Sequence, residues 1–263
     1  MINVEIITAW YNEEFLAPFF LKHYSFADKI HILLDADTND KTLLEIEKAG
    51  NVNVEYVKYP DKFDDRMKIE KIMQVYKKIK HGWVFAVDSD EFLFPLPFET
   101  TMREALAKEN HNDVIYAQMW QVYRHRSDKD LDPDLPPVLQ RRHGDPNVSE
   151  GLNALYNKPV IVKAGLNIKW GAGCHHLHFL RPKNKILRLF AKFKRKPKIS
   201  GNKFYGAHWA MADPLFCIER RRGRKARMSQ NNLDRGHGSH YLEDTEDRIR
   251  QEVEIHLDDP QLF

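Results

Sequence analysis

The chain has 263 residues, 42% of them hydrophobic and 30% charged, with a formal net charge of only +3. That length suits one large α/β domain with an extension and buries a sizeable core without covalent staples. No apolar run approaches the ~20 residues of a membrane span, no basic-then-apolar leader follows Met1, and Cys174 and Cys217 are too few and too separate for a disulfide framework, so the expectation is a cytoplasmic protein.

Val4 to Trp10 reads as a short strand, after which Phe15, Leu16, Phe19, Phe20 and His23 recur at helical spacing. Lys29 to Leu34 reads as a second strand that runs into the polar stretch Asp35 to Thr42, and Leu43, Leu44 and Ile46 open another helix. Val52 to Val57 alternates as a third strand, and Ile69, Ile72, Met73, Val75, Tyr76 and Ile79 mark a helix before the run Trp83 to Val87. Strand and helix alternating in this way predict a parallel sheet with right-handed crossovers. Ligands of such sheets bind beyond the carboxyl ends of the strands, which is where Asn12, Asp35, Asp88 and Asp90 fall.

The strand at Trp83 runs straight into Asp88, Ser89, Asp90 and Glu91. Burying these carboxylates unpaired costs several kcal/mol per charge, so they belong at a strand end facing water or a cation. In extended backbone Asp88 and Asp90 share a face. Hard oxygen ligands with positions left for water suit Mg²⁺ or Mn²⁺ carrying a diphosphate. The plainer reading is a solvated acidic turn.

Three segments together resemble the GT-A glycosyltransferases, specifically family 2-like enzymes with an Asp-x-Asp-Glu-Phe motif. Ala9-Trp10-Tyr11-Asn12-Glu13-Glu14 is similar to the first nucleotide-contacting loop, Leu34 to Thr42 to the segment after the second strand, and Val87-Asp88-Ser89-Asp90-Glu91-Phe92 to the metal motif. Asp37 stands where that family commonly has Gly. The resemblance implies a GT-A, Rossmann-like, mostly parallel sheet flanked by helices, with a C-terminal helical or irregular extension. It divides the chain into a glycosyltransferase domain, 1–215, with a nucleotide-binding half, 1–100, and an acceptor half, 101–215, followed by the extension, 216–263. Ala9, Asn12, Glu13, Asp35, Arg66, Asp88 and Ser89 are the implied donor-binding residues. Asp88 and Asp90 are the implied ligands of Mn²⁺ or Mg²⁺, with His208 carried over from the segment Gly206-Ala207-His208-Trp209; a polar residue packed beside Trp209 is the alternative for His208. The implied reaction is metal-dependent transfer of a sugar from a nucleotide-sugar donor, a UDP-sugar first, to a saccharide or lipid-linked saccharide. An inverting transfer needs a carboxylate base, for which Glu91 and Glu150 are the candidates; Glu91 can instead orient the donor sugar.

Charge is unevenly spread over the second half. Arg181 through Lys198 holds nine Lys/Arg and no acid, and Arg220 through Arg227 adds six. Ile186, Leu187, Leu189, Phe190 and Phe193 can form one apolar helical face there, which reads either as a solvated helix packed on its own domain or as a peripheral contact with the inner face of a membrane. Part of the Arg220 cluster can face diphosphate instead. Cys174, His176 and His178 share a face on a strand, but the ends of that set lie ~13 Å apart and cannot grip one zinc ion; His175 or His176 lining the donor or acceptor pocket is the preferred reading. Two other classes stay open: a metal-dependent nucleotidyltransferase or phosphohydrolase using Asp88 and Asp90, and a non-enzymatic polyanion-binding module using Arg181 to Arg227. No nucleic-acid partner is expected.

Overall fold

Apolar residues on both sides of β1 (Val4–Trp10) place it inside the molecule. In this computed structural model, which describes residues 2–60, 62–145, 156–180, 197–236 and 240–263, Val4, Ile6 and Trp10 join one core cluster and Ile7 joins another. The chain continues through α1 (Ala17–His23), β2 (Lys29–Asp35), α2 (Thr42–Glu47), β3 (Val52–Val57), α3 (Asp65–Lys78) and β4 (Trp83–Ala86). In β4, Trp83 and Phe85 enter the first cluster while Val84 and Ala86 enter the second. Such alternation is what a strand buried on both faces requires. α1 lays Phe19 and Phe20 on the first cluster and α3 lays Ile69, Ile72 and Tyr76 on the second, so helices cover both faces of the sheet. The start of α3 is set by Asp64, whose side chain accepts the Met67 N–H at 3.1 Å.

Beyond β4 come β5 (Glu91–Pro95), α4 (Met102–Lys108), β6 (Val114–Tyr123), α5 (Pro137–Gln140), β7 (Tyr156–Lys163), β8 (Ile168–Trp170), β9 (Leu177–Phe179) and β10 (Ile199–Met211). The chain then turns helical: α6 (Pro214–Arg227), α7 (Gln230–Leu233), α8 (His240–Glu243) and α9 (Glu246–Ile255). Among the described residues eight strands form one sheet in the order β3-β2-β1-β4-β7-β6-β10-β5, and β8 and β9 form a separate ribbon. β1–β2, β2–β3, β1–β4 and β6–β10 are parallel, whereas β7 runs antiparallel to β4 and β6, and β5 antiparallel to β10. This is an α/β architecture: a mostly parallel sheet with flanking helices and a helical C-terminal part. No helix of the described residues is long and apolar enough to cross a membrane.

Two details of this topology position the site. First, β4 stops at Ala86 and the acidic residues form a turn before the chain restarts as β5. β5 pairs with β10 so that His208 lies opposite Glu91, and Trp209 N–H donates to the Asp90 carbonyl at 2.7 Å. A residue more than a hundred positions away in sequence is thereby fixed beside the acidic turn. Second, the C-terminal helices are packed onto the sheet. Ile249 and Val253 of α9 meet Cys217 and Ile218 of α6 and Tyr123 of β6 in a third apolar cluster, and buried Arg221 of α6 pairs with Asp244 at 3.1 Å.

At the outer side of β5, Tyr24 OH accepts the Leu93 N–H at 3.0 Å and donates to the Glu91 carbonyl at 2.7 Å, and His23 Nε2 lies 2.8 Å from the Leu93 carbonyl.

Candidate functional site

A cavity of about 1170 Å³ opens at the carboxyl ends of β1, β2 and β4. The loop after β1 forms its floor. Asn12 takes a positive φ of 50°, a conformation asparagine tolerates better than most residues. Its amide is held by Asn39 in both senses, donating to Asn39 Oδ1 at 2.8 Å and accepting the Asn39 N–H at 2.9 Å. Glu13 N–H donates to Thr42 Oγ1 at 2.7 Å. The first two loops are thus tied together. Asp35, at the end of β2, accepts the Asp37 N–H at 2.9 Å with one oxygen and binds Arg227 of α6 with the other. The Arg227 guanidinium stacks 3.4 Å from the centroid of the Tyr11 ring.

The acidic turn lies opposite. Asp88 pairs with Lys68 of α3 at 3.2 Å and Lys158 of β7 at 3.4 Å. Asp90 faces the other way, toward Arg220 at 3.1 Å, His208 Nε2 at 3.3 Å and Arg224 at 3.4 Å. Glu13 meets Arg220 at 3.1 Å and accepts the Ser89 hydroxyl at 2.8 Å. Glu91 is 1% exposed; it pairs with Lys158, itself buried, and accepts the Asp88 N–H at 3.0 Å.

These partners decide the charge states. Burial works against the Asp88 carboxylate, but Lys68 and Lys158 outweigh it and hold the group below the usual carboxylate range. Burial opposes ionisation of Asp90 as well, and Arg220 together with His208 overcomes it. For Glu13 burial prevails over Arg220, and for Glu91 it prevails over Lys158, so both carboxyls are raised. The site therefore holds two firmly ionised aspartates and two glutamates that accept a proton more readily.

Ala9, Asn12, Glu13, Asp35, Asp88, Ser89, Asp90, Glu91 and His208, all singled out in the sequence, line this one cavity. Arg66 is not brought to it: its side chain is 65% exposed and pairs with Glu70. Lys68, two positions on, faces inward instead. Glu150 and the basic stretch 181–196 lie outside the described residues. His175 lines the cavity, and burial lowers its imidazole to about 4. Cys174 sits in a short 3₁₀ turn rather than on a strand, and burial pushes its thiol up to about 12; among the described residues no metal-binding group forms around it.

The arginines of α6 carry more of the site than their sequence pattern alone suggests. Arg220, Arg224 and Arg227 recur at helical spacing, and that spacing alone places them on one face of α6. Lys158 gives no comparable signal, since it stands within an ordinary apolar strand.

The residues fit a divalent cation at one corner. Asp90 Oδ1 is buried with no hydrogen-bond partner among the described residues, and an imidazole beside a carboxylate is an acceptable donor set for Mn²⁺. Both oxygens of Asp88, the other expected ligand, are paired with lysines, Lys68 and Lys158.

No protein-family model and no curated protein matches the sequence. Among solved structures, the chain is similar to S. aureus TarS 1-349 in complex with UDP-GlcNAc, at 17% identity and a TM-score of 0.44 over 96% of this chain and 71% of that one. It is also similar to S. aureus TarS, at 16% identity and a TM-score of 0.43, of which it spans 43%. A third likeness is to 4-diphosphocytidyl-2C-methyl-D-erythritol synthase from Anaerococcus prevotii, at 11% identity and a TM-score of 0.32, covering 78% of this chain and 89% of that one.

Proposed function

We propose that the chain is a metal-dependent glycosyltransferase that moves a sugar from a nucleotide-sugar donor, a UDP-sugar, to a saccharide or lipid-linked saccharide acceptor. One observation carries this reading: a single cavity at the sheet's carboxyl end places acceptors for a base and ribose at one side and a row of cations beside an acidic turn at the other. Asp35 and Asn12 offer oxygens to the N–H and hydroxyl groups of the nucleoside. Arg220, Arg224 and Lys68 are placed for the diphosphate.

Asp90 and His208 would hold Mn²⁺ or Mg²⁺, which when bound neutralises charge developing on the leaving diphosphate. The chain's own part is to orient and to exclude water. Arg220 bridges Glu13 and Asp90, tying the nucleotide loop to the acidic turn. Glu91 braces that turn through the Asp88 N–H and Lys158, contacts that fit a positioning residue better than a base. If the transfer inverts configuration, Glu91 and Glu150 remain the two carboxylates to compare; the variant of the true base keeps donor binding and loses transfer. Peripheral membrane contact through 181–198, on the cytoplasmic side, belongs to the same reading.

The test is thermal stabilisation by nucleoside diphosphates and nucleotide sugars, with and without Mn²⁺. A ligand at ~100 times its dissociation constant adds about 2.7 kcal/mol. The reading expects one diphosphate to stabilise the protein with metal and Asp90→Ala to erase that gain. No response to any nucleotide under any metal would sink it.

A further inference from the structure

We propose that His125, Asp128 and His143 form a binding site for one divalent transition-metal ion, Zn²⁺ by its donor set, separate from the donor cavity. One ligand atom from each of the three lies within 4.8 Å of the others, and none of the three lines that cavity. The site sits just past the end of β6, where the chain leaves the sheet at Tyr123 and returns past it at His143.

The distances have the character of a ligand set rather than a hydrogen-bond network. His143 Nδ1 is buried and has no hydrogen-bond partner among the described residues. Its nearest carboxylate oxygen, Asp128 Oδ1, is 3.8 Å away. That is too long for a hydrogen bond, and only slightly wider than the ~3.3 Å separating two ligands of a tetrahedral zinc ion. The other Asp128 oxygen is already committed, accepting the His125 N–H at 2.9 Å, so Oδ1 is the one directed at the imidazole. The two rings stack with centroids 4.2 Å and planes 23° apart, so a shared ion requires one ring to turn until both in-plane lone pairs meet at it.

The surroundings support the donors as a ligating site requires. His125 Nδ1 lies 2.7 Å from Ser127 Oγ; ligation through Nε2 selects the tautomer that donates Nδ1–H to that hydroxyl. The Ser127 N–H also points at Nδ1, at 3.1 Å, and is the contact that ligation gives up. His143 is fixed from its backbone, its carbonyl accepting the Tyr123 N–H at 2.9 Å. Arg141 approaches Asp128 at 3.8 Å, but its guanidinium is turned to the carbonyls of Ala212, Gln140 and Lys129. Two neutral imidazoles and one carboxylate with open positions are a donor set typical of zinc, and of iron(II).

A cation here would tie the start of the loop 124–143 to its end, next to the bridges that His143 makes with Tyr123 and Gln261. The expected effect is therefore on stability.

The experiment uses the full chain, treated with chelator, equilibrated with Zn²⁺, desalted and assayed for bound metal. Because Asp90 and His208 are candidate metal ligands too, it is run in parallel on Asp90→Asn. The proposal expects about one retained equivalent in both proteins, lost in His143→Gln and in Asp128→Asn, and a Zn²⁺-dependent rise in melting temperature that these two variants lack. Co²⁺ in place of Zn²⁺ should give visible d–d absorption in the wild type and not in His143→Gln. Asp128→Asn keeps the shape of the side chain, so it answers the question even if His143→Gln fails to fold. Retention of no metal by the wild type overturns the proposal, as does an equivalent that survives Asp128→Asn and disappears in Asp90→Asn.

Discussion

Asp88 and Asp90 stand two residues apart on one turn, yet they are partnered from opposite sides by different cations. Asp88 is held by lysines, Lys68 and Lys158, that rise from α3 and β7 with side chains 10% and 1% exposed. Asp90 is held by arginines from α6, and Arg224 is 32% exposed. The lysine corner borders the cavity at Asp88 and Lys68, whereas Lys158 is buried in the sheet and its charge is there to satisfy Glu91 and Asp88. The arginine corner opens on the cavity, and Arg220 Nη1 has no hydrogen-bond partner among the described residues, which leaves it donor capacity for a ligand. What differs is not the carboxylates but how far each set of cations can exchange partners.

That contrast can be broken experimentally. The largest effect is expected at Lys158→Met, which strands Glu91 and Asp88 without their shared cation; breaking a buried pair in this way costs about 3–5 kcal/mol, read from the midpoint of denaturant unfolding. Arg220→Met should destabilise much less, and an equal loss would dissolve the distinction between the corners.

Acid sharpens it from another side. Both aspartates are held below the usual range, so neither titrates as pH falls from 6.5 to 4. His23, by contrast, is lowered to about 4 by burial, despite its contact with the Leu93 carbonyl. Its folded form takes up a proton later than the unfolded chain does, so the stability it contributes is present above 6.5 and lost as pH falls toward 4. That loss is on the order of 3 kcal/mol. It should be absent in His23→Gln, apart from the share due to His175, and unchanged by Arg220→Met.

The arginine corner should show itself in ligand affinity. Arg220→Met is expected to weaken nucleoside diphosphate binding by roughly 30-fold, the value of a lost charge-assisted hydrogen bond of about 2 kcal/mol, measured by calorimetric titration with Mn²⁺ present. The smallest effect belongs to Arg66→Ala, which removes an exposed pair with Glu70. It should shift stability by less than about 0.5 kcal/mol and leave donor binding alone.

Much of the first hundred residues was legible because its signals are local. Alternation fixed the strands through β4, and strand ends placed Asn12, Asp35, Asp88 and Asp90 at one rim. The restart at β5 was not legible: no local pattern says that the chain turns at Asp90 and runs antiparallel to β10, and only that register sets His208 opposite Glu91. Lys158 escaped for the same reason, its partners lying 67 and 70 residues away. The cluster at His125 and His143 was missed because its members come together through the return of a loop, with no metal-site spacing in the chain.

β5 closes one end of the sheet, and its outward backbone groups are met by side chains of His23 and Tyr24 rather than by another strand. An open edge of this kind is a template on which another polypeptide can pair, including a second copy of the same sequence. By filling the positions of a ninth strand with a phenol and an imidazole, against a strand whose five residues are all buried, the protein covers that edge and guards itself against edge-to-edge self-association.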